Sequence, residues 1–569
     1  MKQENNLFSK LIENPFYLGD KDIVWVKETL DDMTLEEKIG QLFCPIGMSN
    51  DEENLKNNLL AKHIGGIMYR PGQSEDMQNT HRFLQTNSKI PLLISANLEA
   101  GGDGIASDGT AFGKQMQVAA TNETEQAYRL GKISLSEGAA TGCNWSFAPV
   151  VDIDLNFKNP ITNVRTYGDN ADRVLEMSKE YLRAAKEENV AVSIKHFPGD
   201  GVDERDQHLV TSVNTQSCEE WDESFGRVYK GLIDEGALTV MAGHIAMPAY
   251  QKHFNKDFPN RVVPATLSPE LLVNLLREQL GFNGMIVTDA TPMVGFSSAM
   301  AREKSVPTAI ASGCDMFLFN NDFQEDYEFM MKGYKEGILT EERLNEAVTR
   351  ILATKAALRL HDKQVSNTLV PEPSALEIIG CEKHVSWAKE CADKGITLVK
   401  DTQSLLPINL LKHKRILLQI LGDFPSNDRV HNHVKKRLEM EGFEVTEYVR
   451  EDFGKPLDNV KRLKDKYDLV LYIGNVENAS NKTVSRINWC TFFGLGNNIP
   501  WFVEEVPTLF ISLANPYHLL DVPMVKTFIN GYSNNQYVIE SAIDKILGRS
   551  EFKGISPINP FCGREDTAY

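Results

Sequence analysis

The chain has no continuous apolar stretch of about 18 residues, the length that a membrane-crossing helix requires. Its opening, MKQENNLFSKLIENPF, lacks the apolar centre of a secretory signal. A soluble, cytoplasmic protein with no membrane partner is the expectation. Positive charge is also scarce: 60 Lys and Arg stand against 79 Asp and Glu, a formal net charge of -19. Such a surface repels a phosphate backbone, which argues against nucleic-acid binding through a general basic face. None of the eight cysteines forms a CxxC pair, so they are expected to be reduced, buried thiols rather than a zinc site or a disulfide framework. The glycines of AGGDG and FGLGNN complete neither GxGxxG nor GxxxxGK[ST], and Gly-x-Ser-x-Gly is absent. His431 and His433 have no cysteine or acidic partner at supporting spacing, so they are expected to be solvated surface histidines. No cofactor and no metal are expected.

What is present is an ordinary globular composition, 42% apolar and 24% charged, over 569 residues, which is too long for one hydrophobic core. Eight short apolar runs alternate with helix-period stretches in the first 320 residues: QLFCPIG, GGIMYR, PLLISAN, WSFAPVVDID, AVSIKHFPG, ALTVMAGH, GMIVTDA and CDMFLFN. Eight strand-helix units predict an α/β fold with a (β/α)8 TIM-type barrel over residues 1–362. Polar HDKQVSNTLVPEPSALE marks a linker at 363–384. Residues 385–569 then carry RILLQIL, FEVTEY, YDLVLYI, TLFISLA and TFINGY between helices, which predicts a smaller open α/β sandwich.

A barrel of this kind places its chemistry at the C-terminal ends of its strands, and polar residues gather there. Asn97 and Glu99 follow the third run, Asp152 and Asp154 end the fourth, and Lys195 and His196 end the fifth. His244, Asp289 and Asn320 end the sixth, seventh and eighth. After Lys195-His196 the chain turns through Phe197-Pro198-Gly199 into a charged loop ending at His208. Lys195 and His196 would offer donors to sugar hydroxyls; alternatively, Lys195 pairs with a buried carboxylate. Asp206 and His208, one residue apart, meet if the backbone turns, and the aspartate then fixes the imidazole tautomer for proton transfer. GMIVTDA is apolar until Asp289, where a carboxylate is costly unless it serves the pocket. Asp289 is therefore the candidate nucleophile, and a carboxylate attacking an anomeric carbon with a separate acid for the leaving oxygen is what a retaining glycosidase needs.

These blocks resemble glycoside hydrolase family 3 over nearly the whole chain. The resemblance is carried by DDMTLEEKIGQLF, FAPVVDID, NPITNVRTYGD, KHFPGDGVDERDQH, PATLSPELLVNLLREQLGFNGMIVTDA, ITLVKDTQSLLPI and ISLANPYHLLD. The Lys195–His208 segment is similar to the β-N-acetylglucosaminidase (β-N-acetylhexosaminidase) branch, whose loop supplies a His-Asp acid/base dyad. The resemblance implies Asp289 as nucleophile, His208 as acid/base and Asp206 as its partner. Lys195, His196 and Arg165 would bind the sugar, and Asn97, Glu99 and His244 complete the expected substrate-binding set. It implies hydrolysis of terminal β-linked N-acetylglucosamine from small oligosaccharides, chito-oligosaccharides or cell-wall fragments; a homodimer is possible. β-Glucosidase or β-xylosidase activity of the same family is the alternative, as is phosphorolysis of the same intermediate. Phosphorolysis ranks second because Asp200, Asp203, Glu204 and Asp206 crowd the loop with negative charge. Three departures stand out: Asn97 replaces an aspartate and no arginine follows the third run, Asp200 replaces a histidine, and Ala290 follows Asp289. The first bears on recognition of the sugar's outer hydroxyls.

Overall fold

A computed structural model describes residues 7–259, 261–422, 426–448, 460–489, 491–492, 495–496 and 498–569. Cys490 and part of FGLGNN lie outside them. The chain divides into two compact units. The first comprises 1–111, 127–159 and 171–384; the second comprises 112–126, 160–170 and 385–569.

In the first unit each apolar run contains a strand. Six parallel strands follow in sequence order: β2 (Gly66–Met68), β3 (Leu93–Ala96), β4 (Trp145–Ser146), β5 (Ala191–Phe197), β6 (Thr239–Ala242) and β7 (Met285–Thr288). A further parallel pair joins β1 (Phe43–Cys44) to β8 (Phe317–Leu318). This pair is hydrogen-bonded toward both sheet edges, with Met68 N–H donating to Pro45 O at 3.0 Å and Thr288 N–H to Met316 O at 3.1 Å. The strands are shorter than the runs. WSFAPVVDID yields only Trp145–Ser146, because Pro149 brings no N–H to continue a ladder.

The sheet curls, and its inner side can be read from contacts that jump a strand. Trp145 Nε1 on β4 donates to Thr239 Oγ1 on β6 at 3.0 Å, and Cys44 Sγ on β1 lies 3.8 Å from Ser95 Oγ on β3. Phe147 and Phe319 meet edge-on at 6.1 Å between ring centres from the ends of β4 and β8. The register pairs Ser95 with Trp145, Trp145 with Ala191, Ser193 with Thr239, and Thr239 with Met285. Side chains alternate along a strand, so Lys195, two residues beyond Ser193, and Asp289, four beyond Met285, fall on this inner side.

The segment expected as a linker, 363–384, packs within the first unit. Arg82 donates to Pro371 O at 2.6 Å, and Gln78 reaches Glu372 O. The buried Glu137 carboxylate accepts from His384 Nδ1 at 2.8 Å, Gly380 N at 3.2 Å and Thr110 N at 2.8 Å. Leaving that carboxylate without donors would be costly, so this polar stretch is ordered by partners that are distant in sequence.

The second unit holds a six-stranded sheet of β9 (Thr397–Asp401), β10 (Arg415–Gly422), β11 (Glu444–Glu447), β12 (Leu469–Asn475), β13 (Thr508–Ser512) and β14 (Thr527–Asn530). Its spatial order is β9-β14-β13-β12-β10-β11, with β9 alone antiparallel. Both faces are buried. Leu469, Leu471, Leu509, Ile511 and Ile529 pack with residues of the helices Ser426–Met440 and Gln536–Ile546. The alternate residues Val470, Tyr472, Phe510 and Phe528 form the other core, with stacked rings Tyr472–Phe510 and Phe510–Phe528 at 5.9 and 5.2 Å. Segments 112–126 and 160–170 join this unit through bonds that adjacency in sequence does not signal. Lys394 pairs with Glu123 at 2.8 Å, Ile555 N–H donates to Ala120 O, and Asp169 N–H donates to Pro557 O. No helix among the described residues is long and apolar enough to cross a membrane.

Candidate active site

The ends of β3 to β7 bring most of the expected residues into one electrostatic array. Lys195, 4% exposed, is paired with Glu99 at 2.6 Å, so two of the expected sugar contacts are bonded to each other. His196 Nδ1 meets Asp152 Oδ2 at 2.7 Å, and its backbone N–H donates to the other Asp152 oxygen at 3.0 Å. That fixes the ring and turns Nε2 toward Asp289, 3.9 Å away. Asp289 retains 13% side-chain exposure. Burial opposes its ionisation, but neighbouring imidazoles, His196 foremost, and the N–H of Ala290 outweigh it and hold the carboxyl below its ordinary value. An ionised carboxylate at the mouth of a curled sheet is the state a nucleophile requires.

The Lys195–His208 loop brings Asp206 and His208 together. Asp206 Oδ1 lies 2.7 Å from His208 Nδ1 and also accepts the His208 backbone N–H at 2.9 Å. Asp206 is buried, whereas the His208 side chain is 22% exposed, so the dyad points its open end outward. The loop is tied on both sides. Val294 N–H and Gly295 N–H donate to His208 O and Gln207 O, and Thr211 Oγ1 donates to Gly295 O at 2.7 Å. Gln207, between the dyad residues, donates through Nε2 to Asp200 and accepts His244 N–H on Oε1 at 2.7 Å.

His244 behaves differently from its expected sugar-binding role. Burial pushes its pKa down to about 4, so it is neutral, with Nδ1 3.1 Å from Thr266 Oγ1 and Nε2 3.0 Å from Ala290 O. Both ring nitrogens are therefore occupied by protein. The chain His244 to Ala290 O, and Ala290 N–H to Asp289 Oδ1 at 2.7 Å, holds the Asp289 carboxylate in place instead. Asn97 is exposed at the end of β3. Arg165 belongs to the second unit, where Nη1 lies 3.4 Å from Ile161 O.

Sequence reasoning left Asp152 and Gln207 out of the site. Asp152 was visible as a strand-end carboxylate, but its bond to His196 depends on the relative height of β4 and β5. Gln207 carries no signal at all, being one more polar residue in a polar loop. Among the described residues, Asp22, His361 and Asp362 come close enough for a metal, yet Arg359 pairs with both carboxylates and supplies the positive charge itself.

Asp200 is buried against this array, its N–H on Asp152 Oδ1 at 2.8 Å and its Oδ1 accepting from Asn159 Nδ2 at 3.0 Å. Burial and the Asp152 carboxylate push its pKa up to about 7, against the lowering effect of His196 and its hydrogen-bond donors. The folded chain therefore keeps a proton that the unfolded chain releases above about pH 4, and stability falls as pH rises from there toward 7. Asp200→Asn should melt like the parent near pH 4 and a few degrees above it at pH 8, of order 1–2 °C per kcal/mol in a chain this long. A pH-independent difference in thermal melts would count against this account.

A curled parallel sheet that sets a buried carboxylate held in its ionised form and a separate Asp-His pair at its C-terminal rim is the kind of α/β site suited to displacement at an activated carbon. The model of the glycosyl hydrolase family 3 N-terminal domain matches residues 34–354, and the chain belongs to that family. It is 44% identical to a β-N-acetylglucosaminidase/β-glucosidase of Cellulomonas fimi, across 97% of this chain and 98% of the relative. It is 43% identical to the solved β-glucoside phosphorylase BglX, covering 98% of this chain and 99% of that one with a TM-score of 0.92. A family 3 β-N-acetylglucosaminidase from Paenibacillus sp. str. FPU-7 shares the fold at 23% identity and a TM-score of 0.78, over 93% and 99% of the two chains.

Proposed function

We propose that this protein is a retaining exo-acting enzyme that removes a terminal non-reducing β-linked N-acetylglucosamine or glucose from small soluble oligosaccharides, working in the cytoplasm. In this reading the first unit is a closed (β/α)8 barrel and the second an α/β sandwich. The carrying observation is the pairing of an ionised Asp289 with an outward-facing His208–Asp206 dyad on a loop tied to the segment after β7. Asp289 attacks the anomeric carbon while His208 protonates the departing oxygen; the covalent glycosyl-Asp289 is then released when His208 takes a proton from the incoming acceptor. Lys195 and His196 hold the sugar hydroxyls nearest the reacting carbon. The names of the two relatives in the 40% identity range support both sugars.

Water is the acceptor for hydrolysis. Phosphate is the second reading, and the charges of the loop favour it more than their number implies. Asp203 is held by Arg205 at 2.9 and 2.8 Å, Glu204 by Lys158 at 3.2 Å, and Asp206 by His208. Asp200, with its pKa near 7, carries only part of a charge at neutral pH. A histidine that has given up its proton is neutral and does not repel an anion as a carboxylate would. The likeness to a β-glucoside phosphorylase points the same way. In assays of 4-nitrophenyl β-N-acetylglucosaminide and 4-nitrophenyl β-glucoside, phosphorolysis requires that 10 mM phosphate speed turnover several-fold and divert the product to the sugar 1-phosphate. Free sugar alone, at a rate indifferent to phosphate, would select hydrolysis; no turnover of either glycoside would remove both readings.

A further inference from the structure

The sequence places no arginine after Asn97 on β3, but the neighbouring strand supplies one. β2 runs parallel to β3 with Gly66 beside Leu93 and Met68 beside Ser95, and the ladder continues through Tyr69 N–H to Ser95 O at 3.3 Å. Two residues beyond Met68 and Ser95, the same register sets Arg70 beside Asn97. Ser95 is on the inner side of the curl, as its approach to Cys44 across β2 shows. Alternation therefore puts Arg70 and Asn97 on the side that carries Lys195 and Asp289. Tyr69, between Met68 and Arg70, takes the opposite side, its ring 5.6 Å from His81 of the helix Ser74–Thr86. Arg70 and Asn97 are both exposed, and neither side chain has a hydrogen bond or ion pair among the described residues. This is unusual at a rim where Lys195, His196, His208 and His244 are all bonded to a protein group. An aspartate at position 97 would neutralise the guanidinium, whereas the asparagine leaves its donors open.

Position gives the pair a task. Through β8, β1 and β2 in one direction and through β6, β5 and β4 in the other, three strands each way, β3 lies opposite β7. A pyranose lying across the inner side of the sheet with its anomeric carbon over Asp289 would direct its 4-hydroxyl and 6-hydroxymethyl groups, at the far pole of the ring, toward β2 and β3. We infer that Arg70 is a specificity-determining residue that, with Asn97, binds the outer hydroxyls of the terminal sugar. The inference rests on Asp289 as the nucleophile. The guanidinium supplies two parallel N–H donors to the hydroxyl oxygens, and the Asn97 carbonyl accepts from one of the hydroxyls.

The test compares 4-nitrophenyl β-glucoside with its 4-deoxy and 6-deoxy analogues on the parent chain, Arg70→Ala and Arg70→Lys. Arg70→Ala is expected to lower kcat/KM for the full glucoside by about 10- to 100-fold, the usual effect of removing a hydrogen bond to a charged donor. It should change kcat/KM for at least one deoxy analogue by less than about threefold, because that contact is already missing. Arg70→Lys should fall between, keeping the charge and losing the paired donors. Equal losses on all three sugars, or none on any, would overturn the assignment. Labelling with 2-deoxy-2-fluoro-β-glucosyl fluoride separates this from the underlying reading. An adduct on Asp289 in both the parent chain and Arg70→Ala leaves the nucleophile in place whatever Arg70 does. An adduct on another residue in the parent chain would remove the nucleophile, and the Arg70 inference with it.

Discussion

Asp289→Gly is expected to lower kcat on an aryl β-glycoside by about 10⁵-fold, the scale on which removal of a covalent nucleophile usually falls. No other carboxylate of the array is placed to substitute for it. Asp152 is occupied by His196 and by the N–H of Asp200, Glu99 is paired with Lys195, and Asp200 is buried behind Asp152. The substitution leaves a small space facing His196 Nε2, which lies 3.9 Å from the carboxylate in the parent chain. Azide fits such a space and is drawn there by the same imidazole. It would attack the sugar from the side Asp289 used, so rescue should yield the α-glycosyl azide, identified by proton NMR. A variant keeping more than about 1% of the parent rate, or a rescued product of β configuration, would show that Asp289 does not form the covalent bond. The held-down pKa adds a directional expectation: Asp289 stays ionised as pH falls below the ordinary aspartate range, so the acid limb of the rate profile should not be its titration.

The sequence made the strands of the first unit legible because each is a short apolar run closed by a polar residue, and both signals are local. Asp289 was legible for the same reason, as the first charge after GMIVTDA. The dyad was legible as a spacing, and the turn needed to close it is supplied by the His208 N–H bond to Asp206. What stayed hidden depends on contacts between strands. His244 reads as one more strand-end donor, but only its distances to Thr266 and Ala290 reveal that neither ring nitrogen faces outward. Lys195 and Glu99 read as two sugar contacts, and only the curl of the sheet shows that they meet. The linker reading failed because polar composition with prolines suits a tether and equally suits a segment whose hydrogen bonds go to Arg82 and Glu137. Grouping of 112–126 and 160–170 with the second unit is likewise settled by bonds that join residues hundreds of positions apart.

The site contains two Asp-His pairs, Asp152–His196 and Asp206–His208, each at 2.7 Å, and only one of them can protonate the leaving oxygen. His196 turns its other ring nitrogen toward Asp289 and is nearly buried, so in the proposed reaction it acts on the nucleophile side. His208, more exposed and on the loop, is the one open to a departing group. The leaving group therefore reports which histidine is the acid. His208→Ala is expected to lower kcat/KM by about 10³-fold on a disaccharide, whose alkoxide must be protonated as it departs, and by less than about tenfold on a 2,4-dinitrophenyl glycoside, which leaves unaided. Asp206→Asn should show the same dependence at smaller amplitude, because the amide no longer secures the tautomer with its proton on Nδ1 and does not stabilise the imidazolium. His196→Ala should slow both substrates by a similar factor, since its contacts are to the nucleophile side. A flat response of His208→Ala across leaving groups, with a steep one in His196→Ala, would exchange the two roles while leaving Asp289 as the nucleophile.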